Sequence, residues 1–317
     1  MNFLFLDMAI RPSGVFGGQE RFIMEFSNFL ISKGNKVYFI LRQESFLTEH
    51  LTKTASEFKI IKINKYSLNQ SLESILNFIH DKKIEILITL DSLGNRIAFK
   101  TKKKKPLLKL YAFRFDVYLS RFMGLRMKAL KRLYRRLDIA AFKYFEKVFC
   151  ISDEIRAELE TFVENSKLVL FKPIIDENVI GNVENKETGR EILNILSGGR
   201  FEENKKGFSI LIKALNLLLD KGERNFHLTL FGDGPDMKLY KKLSTKLQKN
   251  NLIDFPGFVK NPGELYAHSD VFVLTSRYEG YPFVVLEAMA NDCIVISTPI
   301  PELQKQFSQG NILFFNF

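Results

Sequence analysis

One alternation, run through twice, constrains this 317-residue chain more than any other feature. Short apolar, β-branched runs alternate with segments of helical periodicity. In the first half the runs Phe3–Leu6, Val37–Leu41, Ile84–Leu90, Leu108–Phe113 and Val148–Ser152 read as parallel strands buried on both faces. Between them, Glu20–Lys33, Leu68–Asp81 and Tyr118–Glu146 read as helices. The polar, aperiodic stretch 176–190 reads as a linker. The pattern then restarts. Strands are expected at Ile192–Ser197, Phe226–Phe231, Val271–Thr275, Ile294–Thr298 and Ile312–Phe315. Helices are expected at Phe208–Lys221, Asp236–Lys249 and Phe283–Asn291. The spacing predicts an α/β chain with two doubly wound, Rossmann-like domains, 1–175 and 191–317, facing across a cleft.

No run of apolar residues is long enough for a transmembrane helix. The opening MNFLFLDMAI lacks a basic leader and a small-residue cleavage site, and reads as a first buried strand. Cys150 and Cys293 lie far apart in apolar runs, which favours free buried thiols over a disulfide or metal pair. The net charge is +11, and it is local. Residues 100–147 hold 16 Lys/Arg against 3 Asp/Glu, so an anionic partner is expected there. An acidic membrane surface or a lipid phosphate fits better than nucleic acid, because no nucleic-acid motif accompanies the patch.

Four stretches carry residues suited to phosphate and ribose. Gly18, in GVFGGQERF, opens a helix whose free amides favour an anion, and equally suits a plain tight turn. Arg200 and Lys206, in GGRFEENKKGF, follow a strand end, where two cations suit a diphosphate or form a solvated loop. GDGP at 232–235 reads mainly as a strand-to-helix turn. SRYEGYPFVVLEAMA is the most informative. Glu279 precedes a turn, and Glu287 interrupts an otherwise apolar helix, where a buried carboxylate requires a partner. Ribose hydroxyls or a neighbouring Arg or Lys would serve.

These motifs, with FPGFVKNPGELYAHSDVFVLTSRYEG and AMANDCIVIST in the same order, resemble retaining glycosyltransferases of family 4, the glycosyl transferases group 1 with the GT-B fold. The similarity is dense over 192–299 and sparse before it. The resemblance implies that Gly18 brings its amide to the donor β-phosphate. It implies that Arg200 and Lys206 hold the diphosphate, and that Glu279 and Gly280 meet the donor sugar. The amides of Phe283 and Val284 would meet phosphate, and Glu287 the ribose. The family works without a metal at the donor, so no metal and no cofactor are expected. The implied reaction is hexosyl transfer from a nucleotide-sugar, with UDP preferred, to a hydroxyl of a lipid-diphosphate-linked glycan in bacterial surface polysaccharide assembly. Two other readings stay open: an inactive glycosyltransferase-like binding protein, and a non-hydrolysing UDP-sugar epimerase.

Residues 118–147 are expected to form one amphipathic helix, with Leu130, Leu133, Leu137, Ala141 and Phe145 on its apolar face. Arg121, Lys128, Arg132, Arg135 and Arg136 lie opposite, as an acceptor or membrane patch. The expected location is cytoplasmic, peripheral on the inner face of the cell membrane. Two departures from the family pattern stand out. Arg114 and Asp116 occupy the place where many members carry a cleft histidine. The chain stops at NILFFNF, where helices that close the donor domain would be expected to follow.

Overall fold

The computed structural model describes residues 1–8, 18–42, 48, 57–60, 68–115, 125–171, 179–181, 191–307 and 310–316. The chain divides into two units, one running to Pro173 and the second from Ile174.

In the first unit, Leu4, Phe5 and Leu6 of β1 (Asn2–Asp7) are fully buried, as a strand covered on both faces requires. β1 pairs in parallel with β2 (Lys36–Leu41) on one side and β4 (Ile86–Thr89) on the other. With β3 (Glu57–Ile60), β5 (Lys109–Arg114), β6 (Lys147–Cys150) and β7 (Leu168–Leu170), the sheet order is β3-β2-β1-β4-β5-β6-β7. Stacked rings knit neighbouring strands: Phe5 on Phe39 at 5.1 Å, and Phe113 on Phe149 at 4.7 Å. The helices are α1 (Gly18–Ser32), α2 (Leu68–Asp81), α3 (Ser92–Lys104), α4 (Leu125–Phe142) and α5 (Asp153–Glu160). Asp91 caps α3 by accepting from the Gly94 amide at 2.9 Å. Its other oxygen accepts from the Met8 amide at 2.7 Å, fastening the end of β1 to that of β4.

The second unit repeats the plan: β8 (Leu193–Gly198), α6 (Glu203–Lys206), α7 (Phe208–Asp220), β9 (Phe226–Phe231), α8 (Met237–Leu243), α9 (Thr245–Lys249), β10 (Ile253–Gly257), α10 (Gly263–Ala267), β11 (Val271–Leu274), α11 (Phe283–Ala290), β12 (Ile294–Ser297), α12 (Pro301–Gln306) and β13 (Ile312–Phe314). All strands are parallel, in the order β10-β9-β8-β11-β12-β13. Period-two alternation builds a core on each face. Ile195 joins Phe208, Ile212 and Tyr240 on one side, and Leu196 joins Phe272, Val285 and Leu303 on the other. Both units are Rossmann-like.

Several expectations are corrected. Short strands β3, β7 and β10, and helices α3, α5, α6, α10 and α12, escaped the periodicity reading. The single helix expected at Asp236–Lys249 is two, α8 and α9. Buried Ser244 lies between them, its hydroxyl bonding back to the Lys241 carbonyl at 3.3 Å. Most of 176–190 lies outside the described residues, but Val179–Gly181 is docked rather than free. Asn291 accepts from the Gly181 amide at 2.7 Å and donates to the Val179 carbonyl at 3.0 Å.

The basic helix is described only as α4, and its expected apolar face is partly reversed. Ala141 is buried and so is Phe145 just beyond the helix, yet Leu130 and Leu133 are 42% and 51% exposed. The cause is Asp138, which is fully buried. It accepts from the Ser92 hydroxyl at 2.7 Å and lies 3.6 Å from the Arg114 guanidinium. Turning Asp138 inward rotates the two leucines outward. Burial pushes the Cys150 thiol up to about 12. Both cysteines are free and buried, as expected.

Candidate functional site

In the second sheet the strand order reverses between β8 and β11, the place where open parallel sheets bind ligands at their carboxyl ends. Three loops leave β8, β9 and β11 there and pack on one another. The GDG loop approaches the GGR loop so closely that a Cβ on Gly232 would lie 1.9 Å from the Gly199 carbonyl oxygen. Gly232 also has φ +122°, a region that disfavours side chains. Behind the GGR loop, α6 ends at Gly207, whose φ is +60°. A Cβ there would lie 2.8 Å from the Thr275 carbonyl. The Thr275 hydroxyl donates to the Lys206 carbonyl at 2.8 Å, and the Arg277 amide donates to the Lys205 carbonyl at 2.8 Å. Arg277 also meets Glu203 at 3.2 Å. These contacts fix α6 against the loop that carries Glu279.

Lys206 and Glu279 are thereby joined. The ammonium donates to Glu279 Oε1 at 2.6 Å, and the Ser276 hydroxyl donates to the same oxygen at 2.6 Å. Lys205 Nζ lies 3.9 Å from Oε2. The Lys206 side chain also passes over the glycine loop, since a Cβ on Gly199 would meet its Nζ at 3.3 Å. Burial of Glu279 pushes its pKa up. The Lys206 and Lys205 charges and the two hydrogen bonds outweigh that effect and hold the carboxyl below its usual range.

The other expected site residues are distributed as follows. Arg200 stands half-exposed at the mouth of the same loop, with Nε 3.8 Å from Glu202. Gly280 is buried in the turn before α11. Glu287 is buried on α11, and Oε2 accepts from the Tyr266 hydroxyl at 2.9 Å. A tyrosine hydroxyl is thus one partner of this buried carboxylate. No side chain caps α11. The Phe283 amide donates to the Tyr281 carbonyl at 3.0 Å. Val284, one residue on, keeps a first-turn amide with no intrahelical acceptor. Gly18 opens α1 in the first unit.

In the basic patch, Arg132 and Arg136 are exposed and Lys128 is half-buried. Arg135 has contacts within the fold. It donates to the Thr161 hydroxyl at 2.7 Å and lies over the Phe162 ring at 5.0 Å, so it anchors α4 to the end of α5. Arg121 and Asp116 lie outside the described residues. Arg114, in the place of the family histidine, is buried against Asp138. Sequence reasoning missed Ser276, Tyr266 and Asp138. Only Asp138 carried a signal, as one of three acids in the basic segment. Among the described residues, no group of three or more His, Cys, Asp or Glu side chains is placed to hold a metal ion.

Residues 181–315 match the family model described as glycosyl transferases group 1, a span that includes all of these loops. The second unit is thus similar to the glycosyl transferases group 1 over less than half of the chain. The chain is 28% identical over 179 residues to an uncharacterized glycosyltransferase of Methanocaldococcus jannaschii, covering 52% of this chain and 44% of that protein. It is 27% identical over 168 residues to the Campylobacter jejuni N-acetylgalactosaminyltransferase whose name specifies a PP-undecaprenol-linked glycan, covering 53% and 45%. The matches thus span less than half the length of either relative. Among solved structures, Anabaena HepE in complex with UDP and glucose superposes with a TM-score of 0.77 at 16% identity, covering 99% of this chain and 85% of that one.

The Tyr266–Glu287 bond joins α10 to α11. Tyr266→Phe removes a hydrogen bond to a buried carboxylate and is expected to cost about 2 kcal/mol, read as a lower urea midpoint at unchanged slope. An unchanged midpoint would mean that the bond contributes nothing to the fold.

Proposed function

We propose that this chain is a retaining, metal-independent glycosyltransferase of family 4 that uses a nucleotide-sugar. The observation that carries the reading is the Lys206–Glu279 pair set over the glycine loop at the strand-order reversal. Lys206 and the half-exposed Arg200 supply fixed positive charge where a diphosphate leaving group would develop negative charge. The amide of Val284 adds a donor from a helix start. Glu279 accepts from sugar hydroxyls while it orients Lys206. Glu287, held by Tyr266, accepts from the ribose. In the reaction, the bond from the sugar C1 to the β-phosphate oxygen breaks through an oxocarbenium-like transition state. The acceptor oxygen bonds to C1 on the same face, and its proton passes to the released diphosphate.

UDP is the preferred nucleotide, a choice supported by the UDP-bound structural neighbour. A lipid-diphosphate-linked glycan is the preferred acceptor, as in the name of the Campylobacter relative. The exposed Leu130, Leu133, Arg132 and Arg136 of α4 support docking on an anionic bilayer, on the cytoplasmic side where nucleotide-sugars are found. Among the described residues no helix is long and apolar enough to cross a membrane.

The test is a panel of UDP- and GDP-sugars with a lipid-diphosphate sugar acceptor, in EDTA. Product is expected with one donor and retained anomeric configuration. Glu279→Ala is expected to lower the rate at least tenfold, with nucleotide still bound. Binding without turnover in any pairing would favour a non-catalytic glycosyltransferase-like protein. Donor isomerised without acceptor would favour an epimerase.

A further inference from the structure

At the amino ends of the first unit's strands, the turn from α3 into β5 reads Lys102-Lys103-Lys104-Lys105-Pro106-Leu107-Leu108-Lys109. Its tip is Leu107, which at 96% is the most exposed large apolar side chain among the described residues. Leu108 beside it is buried. Behind the tip lies a cavity of about 520 Å³, walled by Ile79, Ile84, Pro106 and Leu108. Lys83, Lys104, Lys105 and Lys109 also line it, with Glu85 as its one carboxylate.

The lysines of the tract divide by role. Lys102 donates to the Leu108 carbonyl at 2.6 Å and lies 3.8 Å from Glu146, and Lys103 lies over the Phe99 ring at 4.5 Å. Those two hold the turn in shape. The other three, Lys104, Lys105 and Lys109, and Lys83 across the cavity enter no ion pair among the described residues. An apolar tip among unpaired cations discriminates between partners. A soluble polyanion would satisfy the lysines and leave Leu107 in water. An apolar protein face would cover Leu107 and leave the lysines unpaired. A bilayer with anionic headgroups satisfies both at two depths.

We propose that this corner is an anchor on an anionic phospholipid bilayer, with Leu107 inserted at the acyl boundary and Lys83, Lys104, Lys105 and Lys109 at the headgroup phosphates. The inference rests on the peripheral-membrane part of the reading above and adds a second contact to it. The two contacts lie on adjacent elements. Phe99 of α3 packs on Tyr144 just past α4 at 5.0 Å, and Lys102 reaches Glu146. Two anchors on neighbouring elements would fix the unit's orientation on the surface, which one helix face alone would leave free to roll.

The full chain is floated with phosphatidylcholine vesicles, with and without phosphatidylglycerol. Wild type is expected to float only when phosphatidylglycerol is present. Leu107→Asp is expected to lower the partition coefficient roughly tenfold, the loss of one buried leucine. The triple variant Lys104→Ala, Lys105→Ala, Lys109→Ala is expected to lower it at least as far and to flatten its salt dependence. Because Leu107 makes little contact with the fold, circular dichroism is expected to stay unchanged. A Leu107→Trp variant gives a positive signal, a blue-shifted emission only with phosphatidylglycerol. Wild type that ignores these vesicles overturns both membrane contacts. If Arg132→Ala, Arg136→Ala loses binding while Leu107→Asp keeps it, the corner is overturned and the α4 face stands. The reverse pattern upholds the corner and removes α4. Loss in the lysine variant without loss in Leu107→Asp, or an unshifted tryptophan, overturns insertion.

Discussion

Lys206→Ala is expected to lower glycosyl transfer by roughly a hundredfold to a thousandfold, the usual loss when one preorganised charge partner of a developing anion is removed. The same substitution should destabilise the second unit, because it strips the nearest cation from a carboxylate that is only 7% exposed. Breaking a buried pair from one side costs about 3 kcal/mol. The pH dependence separates the two effects. Glu279 titrates below its usual range in the folded chain. Its pair therefore contributes fully above the unfolded-state value of about 4.3 and is lost as pH falls through the lower folded value. The stability gap between wild type and Lys206→Ala should be widest at neutral pH and close in acid. A variant that loses activity with an unchanged denaturation midpoint at neutral pH would show that Lys206 and Glu279 are not paired in solution.

Gly232→Ala is the second large expectation, and it acts through the backbone. The added carbon would meet the Gly199 carbonyl oxygen inside any allowed contact, and φ at this position is +122°. Backbone strain and overpacking each cost about 1–3 kcal/mol, so a combined loss of about 3 kcal/mol or more is expected. The displaced strand would be the GGR loop itself. Nucleotide affinity should therefore fall with stability, although Gly232 carries no side chain to offer a ligand. A thermal midpoint within a degree of wild type would contradict the loop packing described here.

The two doubly wound units were legible because fully buried parallel strands leave unbroken apolar runs such as Leu4-Phe5-Leu6 and Phe272-Val273-Leu274. Glu279 and Lys206 were legible as residue types in a spacing. Their direct contact was not, since 73 positions separate them and only the β8–β11 pairing brings their loops together. Asp138 shows the limit of periodicity. A charge on a helix is assigned to solvent by default, yet here Ser92 and Arg114 draw it inward and turn Leu130 and Leu133 out. The guanidinium of Arg135 likewise meets a hydroxyl and a ring just past α5, contacts that no local pattern announces.

The most direct test is calorimetric titration of UDP against UMP in EDTA, for wild type and Lys206→Ala. A cradle of side-chain cations and helix amides needs no divalent ion to prefer a second phosphate. UDP should thus bind at least tenfold more tightly than UMP to wild type, and that preference should vanish in the variant. Equal affinities for the two nucleotides, or a UDP preference that appears only when magnesium or manganese is restored, would contradict it.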